Sequence, residues 1–325
     1  MLNAHNVLQC ARQTAFGTAV TTATAKLQNV SSFALTPDIQ TRALNQLRGS
    51  LAPTHQTALD YYGSNATFEV SDESFEDVNY WLDSLFSADA SPGGADPYTR
   101  AYAAPLTAEA TPKFMTLQWG QTNEVWQMQD ASLTTLTLSG DTNSGVKVGG
   151  SLIGGKVIEG SLQSLSDRAG TLMHGAMAAL YIDAWAGTIG TTAIAASAFS
   201  WQLSINANRQ YRPYLGSKVA QAWNDQKWAG QLRLSLELNN TTDDYLIAIL
   251  AATNAILERQ VRIKYTNSTT GVFQIDFAGH SMAAPQLFQD RNGVMTYDLV
   301  LDGVYNPTLS NWLKVDTTSA IASLV

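Results

Sequence analysis

A strand pattern that occurs twice is the feature that most limits what this chain can fold into. Apolar residues alternate with polar ones near residue 33 and again near residue 199, in register and 166 positions apart. The matched residues are Phe33, Leu35, Pro37 and Ile39 in the first copy, and Phe199, Trp201, Leu203 and Ile205 in the second. Glycines follow at a spacing of 167, since Gly49 matches Gly216 and Gly63 matches Gly230. The alternation is typical of strands with one buried face, so the chain consists of two related β-rich units.

The repeat agrees with the chain length of 325 residues, which exceeds the usual size of a single core. We place the first domain at residues 1–168 and the second at 169–325. Residues 87–112, rich in Ala, Pro and Gly, have no counterpart in the second copy and are predicted to form an exposed loop insertion.

Each copy also carries one predicted helix after its second strand. The first is expected to start at Ser71-Asp72-Glu73 and to run to about Phe86, and the second to run from Asn239–Asp244 to about Thr253. A long loop or extended hairpin is predicted at about 41–63, between the first two strands. The predicted fold class is therefore mainly β, with two tandem units that are sandwiches or partly open barrels, each with one flanking helix.

Charge is scarce and unevenly distributed. Only 14% of residues are charged, and the net charge is −8. Residues 1–165 carry 15 acidic and 8 basic residues, a net charge of −7, whereas residues 166–325 carry 12 and 11, a net charge of −1. No basic tract occurs, which argues against electrostatic capture of nucleic acid. The start of the sequence has no charged head or long apolar run, so we expect synthesis in the cytoplasm and no membrane association.

A catalytic centre is not indicated by any motif. Residues 150–157 (GSLIGGKV) have the glycine and lysine spacing of a phosphate-binding loop, but Val157 stands where a magnesium-binding hydroxyl is needed. Residues 145–155 align with 293–303, and the matching segment of the second copy ends Leu301-Asp302-Gly303-Val304 without a lysine, which favours strand and turn roles for these glycines. The four histidines lie far apart in the sequence, and Cys10, the single cysteine, is predicted to be a small buried side chain. We predict no catalytic residues, no metal and no cofactor.

Aromatic and arginine side chains in or beside the long loops are the remaining candidates for a functional site. Such residues are enriched at protein interfaces, although they could equally cover a local apolar face of their own domain. The candidate subunit and ring-stacking residues are Arg42, Arg48, Tyr61, Tyr62, Tyr211, Arg212, Tyr214, Trp223 and Trp228.

Together these features resemble the major tail tube protein of long-tailed, siphovirus-type bacteriophages, in a form with two fused tube domains. The resemblance rests on residues 11–20 (ARQTAFGTAV), on Leu47-Arg48-Gly49-Ser50, and on the order of strands, helix and hairpin. It implies a structural virion protein, not an enzyme, whose rings stack into a hollow tail tube through which DNA is ejected. Six domains per ring would require three duplicated chains, which predicts homotrimeric rings.

The resemblance also implies the partners. These are other copies of the chain, a tape measure protein, a tail terminator and distal tail proteins, while genomic DNA passes through the lumen without specific binding. Two other interpretations stay open at this point. One is a virion-surface or secreted β-sandwich that binds carbohydrate or a receptor, and the other is the inner tube of a contractile injection system. A hydrolase without a recognisable motif is the least favoured.

Overall fold

The computed structural model describes residues 6–44, 56–86, 96–194, 197–250, 257–267, 271–281, 289–291 and 293–324. Predicted residue Arg48 and the segment 87–95 lie outside these ranges. The described part is mainly β, as expected, and its sheets are open rather than closed into a barrel. No helix within it is long and apolar enough to span a membrane.

The two halves share a common order of seven strands and one helix, to which each half adds short strands of its own. The first half contains β1 (Val7–Arg12), β2 (Ala25–Leu27), β3 (Val30–Leu44), β4 (Gln56–Val70), α1 (Val78–Leu85), β5 (Tyr98–Ala103), β6 (Met115–Gln121), β7 (Glu124–Asp141), β8 (Lys147–Gly154) and β9 (Val157–Glu159). The second half contains β10 (Ala178–Ala184), β11 (Ala198–Asn206), β12 (Gln210–Pro213), β13 (Ala220–Asn224), β14 (Ala229–Glu237), α2 (Asp243–Leu250), β15 (Leu257–Thr266), β16 (Val272–Ser281), β17 (Gln289–Arg291), β18 (Val294–Gly303) and β19 (Leu313–Ser319).

Strand pairing is equivalent in the two halves. In the first, β1 pairs with β6, β6 with β7, β7 with β8 and β9, β8 with β4, and β4 with β3. In the second, β10 pairs with β15, β15 with β16, β16 with β18 and β19, β18 with β14, and β14 with β11. All of these pairs are antiparallel. The two halves therefore share one topology, with β1, β3, β4, β6, β7, β8 and β9 equivalent to β10, β11, β14, β15, β16, β18 and β19.

Each half is built as two sheet layers that share a long strand. In the first half, β7 pairs with β6 through Ala131 and with β8 from Ser132 onward. The strand turns between the layers at Asp130, whose φ of 53° is unusual for a residue other than glycine. A strand that changes sheets in this way closes one side of a sandwich.

The core lies between the layers and is continuous through both halves. The helix α1 covers the apolar face of β4, where the Trp81 ring stacks on Phe68 with centroids 3.8 Å apart. Cys10 on β1 is fully buried in this core, which confirms the sequence interpretation, and burial raises the pKa of its thiol to about 12. Full burial of a large apolar side chain such as Phe68 contributes about 1.5–3 kcal/mol. The shared core is therefore the main source of stability.

The start of α1 differs from the prediction. The helix begins at Val78 rather than just after Glu73, because the Ser74 hydroxyl accepts a hydrogen bond from Asp77 N (3.0 Å) at a preceding turn. Glu73 is buried instead, and its carboxylate accepts a hydrogen bond from Trp81 Nε1 (3.1 Å). In the second half Asp243 and Asp244 occupy the first turn of α2, as the helix dipole favours.

The expectation of an exposed loop at 87–112 is wrong at residues 98–103. Residues Tyr98–Ala103 form β5, which pairs with β19 of the second half over six residue pairs, from Tyr98↔Ser319 to Ala103↔Lys314. Tyr102 is 2% exposed. The alternation of residues 98–103 (YTRAYA) is the strand signal, and the surrounding Pro, Gly and Ala obscured it.

The other two local interpretations hold. The described parts of the segment 41–63, residues 41–44 and 56–63, are the paired arms of an extended hairpin, since β3 and β4 pair from Val30↔Val70 to Leu44↔Gln56. Gly150 and Gly154 of the phosphate-loop-like motif lie in β8 and Gly155 lies in the bend that follows, so they are strand and turn residues.

Candidate functional site: a joined sheet and two hairpins

The two halves are joined by a strand pair. Strand β7 of the first half and β11 of the second form an antiparallel ladder of seven residue pairs, from Asp141↔Ser200 to Thr135↔Asn206. The result is one sheet in the order β3-β4-β8-β7-β11-β14-β18, continued by the end of β16 through Gly279↔Gly303 and His280↔Asp302. Each half contributes four strands, and β3 stands at the open end.

One face of this sheet is apolar and buried, and the other is polar and open. The sequence causes this directly, because apolar and polar residues alternate along each of its strands. The polar face is concave, with shallow depressions over both halves. Its uncharged side chains include Ser32, Thr67, Thr137, Ser139, Ser151, Ser200, Gln202 and Ser235.

Charges on the polar face are sparse and mostly negative. The carboxylates are Asp38, Glu69, Asp141, Glu237, Asp298 and Asp302, and the cations are Lys147, Arg233 and Arg291. Arg233 pairs with Asp298, and Arg291 pairs with Asp141 across the joint between the halves, each at 2.5 Å. Partial burial alone would raise the pKa of Asp141, but hydrogen bonds from Asn143 N–H and Arg291 outweigh it and lower that pKa. The carboxylates come equally from the two halves, so the described part of this face does not account for their −7 and −1 net charges.

A hairpin of the second half reaches back over the first half. Strands β12 and β13 form this hairpin, which lies between β11 and β14 in the chain. The Tyr211 ring packs edge-on with Phe16 and Phe114, which also contact each other, and its hydroxyl donates to Asp130 O. Tyr62 N donates to Lys218 O (2.8 Å), which ties this hairpin to β4.

The same hairpin places one arginine inside the first half. The Arg209 side chain is 0% exposed and forms a bidentate pair with Asp225, at 2.7 Å from Nε and 3.0 Å from Nη2. Its remaining N–H groups donate to the carbonyls of Ser84 and Leu85, each at 3.0 Å. These carbonyls end α1, where a helix leaves unpaired acceptors and carries partial negative charge. Arg209 also donates to Ser132 Oγ (2.5 Å) on β7, so one guanidinium connects the helix, the joined strand and the hairpin.

The corresponding hairpin of the first half places no arginine against a helix end among the described residues. Its strands β3 and β4 continue outward, and Ile39 is 56% exposed although its counterpart Ile205 is 2% exposed. Arg42 pairs with Asp60 at 3.3 Å, with side chains 65% and 45% exposed. At the 167-residue spacing Arg42 corresponds to Arg209, so both hairpins carry an arginine–aspartate pair, one exposed and one buried.

The sequence-predicted interface residues are divided by the structure. Tyr211 and Trp228 are buried within the chain, and Tyr61, Tyr62 and Trp223 are half-buried. Exposed are Arg42, Arg212 and Tyr214. Tyr211, Tyr62, Trp223 and Trp228 lie where the two halves meet, while Tyr214 is remote from the described contacts of that joint. A role between subunits stays a prediction for all of them.

Sequence reasoning missed Arg209 and Asp225, whose side chains are 0% and 2% exposed where the halves meet. The available signal was the 167-residue spacing between Arg42 and Arg209. It was not used because the repeat was followed through apolar residues and glycines only.

The fold thus defines a class of protein: a β-sheet subunit with a duplicated topology, a polar concave face and open strand ends, suited to assembly. A family model described as "Phage tail tube protein" matches residues 4–302. The chain belongs to this family and is a structural tail tube protein, a component of the virion tail. No curated protein matches the chain.

Proposed function

We propose that three copies of this chain form each ring of the tail tube, and that each copy supplies two tube units, residues 1–168 and 169–325. The observation that carries this proposal is the β7–β11 ladder, which joins two topologically equivalent halves through the same sheet. If the joint between chains repeats the joint within the chain, the end of β16 in one copy pairs with β3 in the next. Three chains then present six equivalent units with pseudo-sixfold symmetry.

The dimensions agree with a conduit for DNA. Each unit contributes four strands to the joined sheet, so three chains contribute ~24 strands to a closed barrel. At ~4.8 Å between strands and ~40° tilt, such a barrel has a backbone diameter of roughly 50 Å. A DNA duplex passes through it with clearance.

The polar concave face is proposed to line the lumen. Its excess of carboxylates repels phosphates over about a Debye length, ~8 Å at physiological salt, while hydroxyl and amide groups keep the wall wet. DNA is then ejected without binding specifically. The opposite orientation would expose the apolar core of the sheet, which excludes it.

The biological setting follows from this role. We propose a long-tailed, siphovirus-type tail without a contractile sheath, and synthesis of the chain in the host cytoplasm before assembly. The tape measure protein would occupy the lumen during assembly, and a tail terminator and distal tail proteins would cap the two ends of the tube. The role is structural, without catalysis or cofactor.

Electron microscopy of the purified protein or of its parent particle tests the proposal. We expect hollow tubes whose end views, after rotational averaging, show six lobes contributed by three chains. Rings of six chains, or globular particles that stay dispersed at high concentration, would refute the three-chain ring. A sheath around the tube would refute the siphovirus setting alone.

A further inference from the structure

The helix face that is covered where the two halves meet has an exposed counterpart in the second half. In the first half, Leu82 and Leu85 of α1 are 0% exposed. Their counterparts in the second half are Ile247 and Leu250 of α2, at the same positions in a helix of the same length, and these are 55% and 56% exposed. The last turn of α2 contains no basic residue, so no cation of its own lies there. The apolar face formed by Ile247 and Leu250 is therefore open.

The unmatched partner surface is on the first-half hairpin. Ile39 and Leu59 are exposed there, at 56% and 37%, beside the Arg42–Asp60 pair. The second-half hairpin carries the equivalent arginine, Arg209, into the end of α1. One chain thus displays exposed apolar side chains of the first-half hairpin at one end and the exposed face of α2 at the other.

Resting on the proposed three-chain ring, we propose that Ile39, Arg42, Leu59 and Asp60 dock on the Ile247 and Leu250 face of α2 in a second copy of this chain. Arg42 then donates to the carbonyl end of that helix, as Arg209 does within the chain. The occupant is a neighbour in the same ring, because the template contact accompanies sheet continuation through β7 and β11.

The physical chemistry of the site changes on docking. An exposed arginine–aspartate pair contributes little, because water screens it. When α2 and the hairpin exclude water, the guanidinium gains the carbonyl acceptors that every helix leaves unpaired at its end. Removal of Arg42 from the docked state leaves Asp60 and these carbonyls without a donor, which is far more costly than its removal from the free chain.

Crosslinking tests the contact. The only cysteine, Cys10, is 0% exposed, so added cysteines react alone. We expect a Leu59→Cys/Ile247→Cys chain, assembled and treated with a short bis-maleimide, to give covalent dimers and trimers on a denaturing gel. The single variants Leu59→Cys and Ile247→Cys are the matched controls and should give no product, because the two surfaces are different.

The sizes of the crosslinked products show whether the face of α2 is occupied by a neighbour in the same ring. A ladder that continues beyond three chains places the contact between stacked rings and overturns the proposal. Tubes with three chains per ring but no crosslink overturn it as well, while leaving the proposed function intact. If the wild-type chain forms no rings, the proposed function fails first.

A substitution tests the arginine. We expect Arg42→Ala to raise the concentration needed for assembly roughly a hundredfold, measured by sedimentation, with the unfolding midpoint of the free chain nearly unchanged. Lys147→Ala, which removes an exposed cation from the polar face, is the control and should assemble like the wild type. Equal assembly of the two variants overturns the role of Arg42.

Discussion

The two helices show what the joint between the halves does. They occupy the same place in one topology and have the same length, yet α1 is buried on all sides whereas α2 has Tyr245 and Leu246 as its buried residues and an exposed apolar face. Much of the cover over α1 comes from the other half, through Arg209, Trp228 and a hydrogen bond from Thr317 to Asn79 (2.6 Å). A helix that looks like ordinary core, α1, is therefore partly an interface helix between the two halves.

The largest expected effect is the loss of the buried arginine. Arg209→Ala leaves the Asp225 carboxylate without its cation and Leu85 O without this donor in a dry site, so we expect the free energy of unfolding to fall by about 3–5 kcal/mol. Urea denaturation of the unassembled chain measures it. A loss below about 1 kcal/mol would show that the joint does not depend on this side chain.

Leucine truncation compares the two helix faces directly. Leu82→Ala creates a cavity in a fully buried site and should cost about 2–5 kcal/mol. Ile247→Ala, at the equivalent exposed position, should change the stability of the free chain by no more than about 0.5 kcal/mol. Similar losses in the two variants would contradict the difference in cover.

The segment that leads into α1 contains Glu73, a buried carboxyl group that makes the stability of the chain depend on pH. Burial, aided by the nearby Asp77 carboxylate, raises the pKa of Glu73 to about 8, whereas its ordinary value is 4.5. The folded chain holds this proton while the unfolded chain releases it, so the stabilisation is complete below pH 4.5 and is lost as pH rises through 8. Each pKa unit corresponds to about 1.4 kcal/mol.

Glu73→Gln cannot ionise and should flatten this loss, as measured by thermal unfolding between pH 5 and 8. Glu237→Gln on the polar face of the second half is the control and should keep the wild-type slope. An unchanged slope in Glu73→Gln would mean that other groups control it.

The smallest effect concerns the exposed arginine. Arg42→Ala should cost the unassembled chain less than about 1 kcal/mol, because the Arg42–Asp60 pair is solvent-exposed. Urea denaturation beside Arg209→Ala makes the comparison. A loss as large as that of Arg209→Ala would show that the two pairs are equivalent in the free chain.

The fold class and much of the strand order could be predicted because they depend on local alternation. The run at Phe33–Ile39 and its counterpart at Phe199–Ile205 specify which face is buried, and a one-residue shift would expose the whole set. Composition misled the prediction at residues 98–103, where partnership with β19 makes a strand of a segment rich in small residues. Capping signals placed the start of α1 early, because tertiary burial of Glu73 overrode them.

The candidate site could be predicted only in kind. Loop aromatics indicated an interface, but the sequence could not say that Tyr211 meets the first half of its own chain while Arg42 meets solvent. The distinction arises because the second-half hairpin packs against the first half of its own polypeptide, whereas Arg42 of the first-half hairpin does not. Equivalent residues in a duplicated chain can therefore have different surroundings without any difference in local sequence.

The β7–β11 ladder has a consequence for how the protein responds to dilution. Its two strands belong to one polypeptide, so they meet at an effective concentration that is set by the connecting segment and does not depend on the amount of protein. Dilution that would separate two chains leaves this joint closed. Placing the two halves in one polypeptide makes a step that would depend on concentration part of folding.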